Sequence, residues 1–105
     1  MIDVFIRRSG GHYSQFYVRG HAGYAEYGKD IVCAAVSALT ITLENALSEL
    51  SDVPIMEKTY VREKNTIIFI PTPSDKTDLL IEMYKLGIES AQESYPDYVK
   101  LHLET

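Results

Sequence analysis

Cysteine occurs once in these 105 residues, tryptophan not at all, and basic side chains are outnumbered, 10 Lys and Arg against 15 Asp and Glu. Each shortage excludes something. A single cysteine, Cys33, cannot close a disulfide within the chain and gives no reason to expect secretion. It is also a poor start for a metal centre. A structural zinc site takes about four convergent ligands, and His12, His21 and His102 are scattered along the chain. No metal and no cofactor is expected. The net charge of −5 argues against a nucleic-acid-binding domain, which shows a basic patch, and suits a basic partner. The longest apolar run, Ile31–Leu43, is broken by Ser37, Thr40 and Thr42 and is shorter than the roughly 18 residues of a membrane span. The first residues, with Asp3 early, lack the basic-then-apolar order of a signal peptide. These absences predict a cytoplasmic protein that meets no membrane. Without repeats or linkers, residues 1–105 read as one domain with one modest core.

The patterning that is present predicts an α+β fold. Ile2, Val4 and Ile6 alternate with Asp3, Phe5 and Arg7, as in a strand. Ser9-Gly10-Gly11 makes a turn, and His12–Arg19 resumes the alternation. There Tyr13, Gln15, Tyr17 and Arg19 are expected on one face, Ser14, Phe16 and Val18 on the other. Asp30 can cap a helix, with Val32, Val36, Leu39, Leu43, Leu47 and Leu50 as its apolar stripe. Met56–Glu63 and Thr66–Ile70 read as strands around a Lys64-Asn65 turn. Ser74 or Asp75 caps a second helix, whose apolar content is Leu79, Leu80, Met83, Leu86, Ile88 and Ala91. Gly87 weakens it by about 1 kcal/mol relative to alanine. Val99–Leu103 is a last strand. The order β-β-α-β-β-α-β implies a mainly antiparallel sheet with two helices.

Chemistry concentrates in Gly20–Ser37. Gly20, Gly23 and Gly28, three of the six glycines, lie within nine residues, flanking His21 and preceding the helix that holds Cys33. With Asp30 as cap, Cys33 stands in the first turn, where the helix end favours a thiolate. His21 can take its proton and later protonate a leaving amine. Free cysteine is also commonly a small buried residue, and a histidine at a strand end is commonly just exposed. Neither role follows from spacing alone. Phosphate binding is disfavoured, because GHAGYAEYGKD lacks the glycine–lysine–serine order and carries Glu26 and Asp30. Asp30 serves as cap or orients His21. Ser37, one turn after Cys33, lines the site or is an ordinary polar residue. His12 and His102 have no evident partner and no role.

The string Gly20-His21-Ala22, then Gly28, Asp30-Ile31-Val32-Cys33-Ala34 and Ser37, resembles the ribosomal-processing cysteine proteases called Prp. The likeness is close from Arg19 to Leu47, including Asn45, and extends weakly to Tyr95–Lys100. It implies an α+β homodimer of bacteria, acting in ribosome biogenesis. Such an enzyme removes a short N-terminal extension from a large-subunit ribosomal protein by cutting after an aromatic residue. It further implies Cys33 as nucleophile, His21 as base, Asp30 and Ser37 as supporting residues, and a substrate loop with Gly20, Gly23, Tyr24, Tyr27 and Gly28. Backbone N–H groups at the helix start are candidates for holding the oxyanion. The rival reading is a non-enzymatic ribosome-assembly or peptide-binding module with a structural cysteine.

Overall fold

The computed structural model describes residues 1–20, 23–26, 29–60 and 65–105, the side chains of 58–60 excepted. The elements follow as β1 (Ile2–Ser9), β2 (His12–Arg19), α1 (Ile31–Leu50), β3 (Met56–Tyr60), β4 (Asn65–Phe69), α2 (Asp75–Ser94) and β5 (Val99–Glu104). The sheet is mixed, in the order β3-β4-β2-β1-β5. Three pairings are antiparallel; only β1 and β5 run parallel. Asn65 belongs to β4, paired with Tyr60, rather than to the preceding turn. Residues 61–64, where the end of the third strand and Lys64 were expected, lie outside the described residues.

The β1–β2 hairpin closes through Gly10 and Gly11, both at positive φ (62° and 84°), the backbone that a two-residue hairpin turn requires. The hairpin carries one correction. Arg7 pairs with Gln15 and Arg8 with Tyr13, so Ser14 is the extra residue of a bulge. The bulge turns Tyr13 over, onto the buried face with Phe16 and Val18, against the strict alternation expected from sequence.

Both helices cover one face of the sheet. Ile2, Val4, Ile6, Phe16 and Ile68 meet Val32, Val36, Leu43 and Leu47 of α1 and Ile81, Tyr84 and Ile88 of α2. Leu50, expected in the α1 stripe, is exposed; Leu39 is half-buried and Thr40 takes an inner position. The Thr40 hydroxyl donates to the Val36 carbonyl (2.8 Å) and meets the Tyr84 hydroxyl at 2.9 Å, so its burial leaves no polar atom unpaired. In α2 the buried stripe is Thr77, Ile81, Tyr84 and Ile88, while Leu79, Met83 and Leu86 face out. Ser74 caps α2 reciprocally with Thr77. Gly87 has a packing reason: a Cβ there would stand 2.8 Å from Leu39 Cδ2. By length and composition α1 qualifies as a membrane span, since the helix continues past Leu43 to Leu50. Its buried stripe lies against the sheet, as in a core helix.

Candidate active site

Cys33 sits in the first turn of α1, half-buried and packed against the core. Asp30 is the N-cap, with extended backbone (φ −84°, ψ 102°). Its Oδ1 accepts from the N–H groups of Val32 and Cys33, both at 3.0 Å. Its Oδ2 accepts from Tyr24 N–H at 3.0 Å and Ala25 N–H at 3.4 Å. The Cys33 thiol hydrogen-bonds to the same carboxylate. Partial burial pushes the Asp30 pKa up, but the donors from Cys33, Ala25, Tyr24 and the thiol outweigh it, and the net shift is downward. One carboxylate therefore ties the loop to the start of the helix.

This arrangement corrects the expectation for the oxyanion. The Val32 and Cys33 N–H groups are already given to Asp30, and Ala34 N–H makes the first helical bond, to the Asp30 carbonyl at 3.0 Å. These donors reach a substrate only if Asp30 gives way.

His21, Tyr27 and Gly28 lie outside the described residues. Gly20 has φ 91°, and a Cβ there would meet the Met1 carbonyl oxygen at 2.4 Å, so only glycine fits. Gly23 has φ 70° with open space around it. Ser37 is exposed on the next turn of α1. Tyr24 is 43% exposed, and its ring stands edge-on to Tyr95 (centroids 5.6 Å apart) and Tyr98 (5.2 Å). Sequence reading missed this triad. Its only signal was the closing Tyr95–Lys100 segment, because nothing local links residue 24 to residue 98.

A second omission lies further along α1. Glu44, in the helical column of Cys33, is hydrogen-bonded to Glu57 of β3. Burial, then the bond and the charge of Glu57, push its carboxyl up to about 7. The two histidines left without roles both have partners. His102 Nε2 meets Asp3 Oδ1 at 2.8 Å, and its ring stacks on Phe5. His12 Nδ1 meets Asp78 Oδ2 at 2.5 Å. With Asp75 these two form a group with ligand atoms within 4.8 Å of one another, at the start of α2 and away from Cys33 in sequence.

Over residues 1–100 the chain matches the family described as cysteine protease Prp. It is 30% identical to the ribosomal processing cysteine protease Prp of Bacillus subtilis, over 96% of each chain. Against the Staphylococcus aureus protein of that name it is 28% identical, covering 96% of this chain and 95% of the other. The fold superposes on a crystal structure of the essential ribosomal processing protease Prp from S. aureus with a covalently linked product peptide. There the TM-score is 0.92 at 27% identity, over 98% of this chain and 99% of that one. It is also similar to SMU.848 from Streptococcus mutans, with a TM-score of 0.85 at 34% identity, over 100% and 95% of the two chains.

Proposed function

The chain belongs to the cysteine protease Prp family, and from that premise we propose that it is an endopeptidase with Cys33 as nucleophile and His21 as base. The observation that carries the reading is the position of Cys33 in the first turn of α1, joined through Asp30 to the backbone of Tyr24 and Ala25. The Cys33 sulfur attacks the scissile carbonyl carbon as its proton passes to His21. His21 returns the proton to the leaving amine, and water then releases the acyl group from sulfur. Asp30 holds the nucleophile's helix turn, and Ser37 lines the entrance. Gly20, Gly23, Tyr24, Tyr27 and Gly28 form the loop against which the peptide lies.

The substrate of this reading is the N-terminal extension of a large-subunit ribosomal protein, cut after an aromatic residue. The enzyme works as a cytoplasmic homodimer, each chain a single domain over residues 1–105, with no metal. A net charge of −5 suits a basic ribosomal substrate. Incubating the precursor with purified protein tests the reading. Cleavage by the unmodified chain and none by Cys33→Ala, which stays folded, is the expected result. Undiminished cleavage by Cys33→Ala, or a thiol whose alkylation leaves turnover untouched, would sink it in favour of a peptide-binding module with a structural cysteine.

A further inference from the structure

The tyrosine triad has two rigid members and one exposed one. Tyr95 is the C-cap of α2, its N–H donating to the Ala91 carbonyl at 2.8 Å. Its own carbonyl accepts from Tyr98 N–H (3.0 Å) and Val99 N–H (3.1 Å), and the Tyr98 carbonyl accepts from Ile2 N–H at 2.8 Å. Both rings pack on the core. This turn is thus fixed to α2, to β5 and to the first residue of β1. Tyr24, by contrast, belongs to the loop, and its ring meets Tyr95 and Tyr98 at the same interplanar angle, 79°. That edge-to-face arrangement is the one aromatic quadrupoles favour. The two fixed rings form a seat, and the chain's own loop fills it with an aromatic ring.

The ring that fills the seat is tied to the nucleophile's helix turn through Asp30. The Tyr24 and Cys33 backbone nitrogens are held by the two oxygens of the single Asp30 carboxylate. The Tyr24 ring can leave by rotation about its own χ1, a change between staggered rotamers, without breaking the backbone bond to Asp30. We propose that Tyr95 and Tyr98 form a subsite for an aromatic side chain of the peptide substrate, and that Tyr24 occupies this subsite until the substrate ring displaces it. This rests on the protease reading and adds the residues that set its preference. Tyr24 then acts as a built-in competitor: a peptide with an aromatic residue near the scissile bond replaces one edge-to-face ring by another, whereas an aliphatic one does not.

The test separates binding from cleavage by using the Cys33→Ala chain and two peptides of the precursor's extension. The peptides are identical except for Phe or Leu before the scissile bond, and their affinities are measured by calorimetry. The Phe peptide is expected to bind tighter than the Leu peptide, and the difference should grow to about three- to tenfold, the range that an aromatic pair supplies, once Tyr24→Ala removes the competing ring. Tyr98→Leu or Tyr95→Leu should bring that ratio close to one. Tyr24→Ala should tighten the Phe peptide more than the Leu peptide. Should both seat variants fail to fold, displacement of the Tyr24 ring resonances by the Phe peptide, and not by the Leu peptide, decides in their place. A Phe-to-Leu ratio that survives both seat variants overturns the proposal, as does a Tyr24→Ala chain that binds the Phe peptide more weakly. Ring selectivity in binding together with precursor cleavage that does not need Cys33 would uphold the seat and remove the protease.

Discussion

Asp30 performs two tasks with one carboxylate, and its two oxygens divide them. Oδ1 caps α1 and Oδ2 holds the loop. A substitution can separate these tasks. Asn keeps one acceptor oxygen and is itself a good N-cap, but its amide nitrogen cannot accept the Tyr24 and Ala25 N–H groups. Asp30→Asn should therefore leave the melting temperature nearly unchanged and reduce precursor turnover, while Asp30→Ala lowers both. Equal loss of stability in the two variants would show that the loop tether, not the cap, carries the fold. The sign of the pH effect follows from the downward shift. The Asp30 contribution is complete above the ordinary carboxylate range and is lost as pH falls through the depressed folded value. The cap was legible in the sequence because helix caps are local; the second oxygen was not, because its partners belong to a loop of no regular structure. For His21 the expectation stays kinetic. His21→Ala should cost about 100-fold in turnover, the lower range of general-base assistance. Unchanged turnover would assign the proton to another group.

At the scale of elements, α1 and β3 meet through two acids, Glu44 and Glu57, that share a hydrogen bond. The raised Glu44 carboxyl makes the folded state hold more protons than the unfolded chain between its ordinary value of 4.5 and about 7. Stability from this pair is then greatest at low pH and falls as pH rises through that window, opposite in sign to Asp30. Glu57→Gln removes the like charge and keeps a bonding partner. It should stabilise the protein by about 1 kcal/mol at pH 8, after allowing for solvent screening of a half-exposed group, and by almost nothing near pH 4. Urea unfolding at the two pH values measures the difference, and an equal gain at both would remove the pair from the pH profile. The same elements show how far periodicity reads. The α1 stripe was legible at Val32, Val36, Leu43 and Leu47, where apolar residues recur at helical spacing. It failed at Thr40, whose burial depends on Tyr84, 44 residues away. In α2, Ile81 and Tyr84 were passed over for Leu79 and Met83 because both sets keep helical spacing. Only the sheet decides between them.

At the scale of the molecule, element order and two helices were legible from local signals. The parallel β1–β5 pairing was not, because it joins the two ends of the chain. That topology gathers opposite charges into different layers. β1 and β2 carry Arg7, Arg8 and Arg19 against Asp3, whereas α2 carries Asp75, Asp78, Glu82, Glu89 and Glu93 against Lys76 and Lys85. Between α2 and β5 runs an open groove of about 620 Å³, lined by Glu89, Gln92, Glu93, Pro96, Leu101 and Leu103. Pro96, the residue next to Tyr95, is part of its lining. On the proposed reading, a basic precursor would be drawn toward the helical layer. The attraction is long-range and screened by salt. The Debye length shrinks from about 30 Å at 0.01 M to about 3 Å at 1 M, so the effect belongs to encounter rather than to chemistry. Raising the salt should increase KM for the full-length precursor several-fold and leave kcat unchanged. A short uncharged peptide with the same cleavage sequence should be almost indifferent. Glu89→Gln with Glu93→Gln, at exposed positions outside the reaction, should flatten the salt dependence for the precursor alone. If precursor and neutral peptide respond to salt alike, or if the double substitution changes nothing, the acidic layer has no part in capturing substrate.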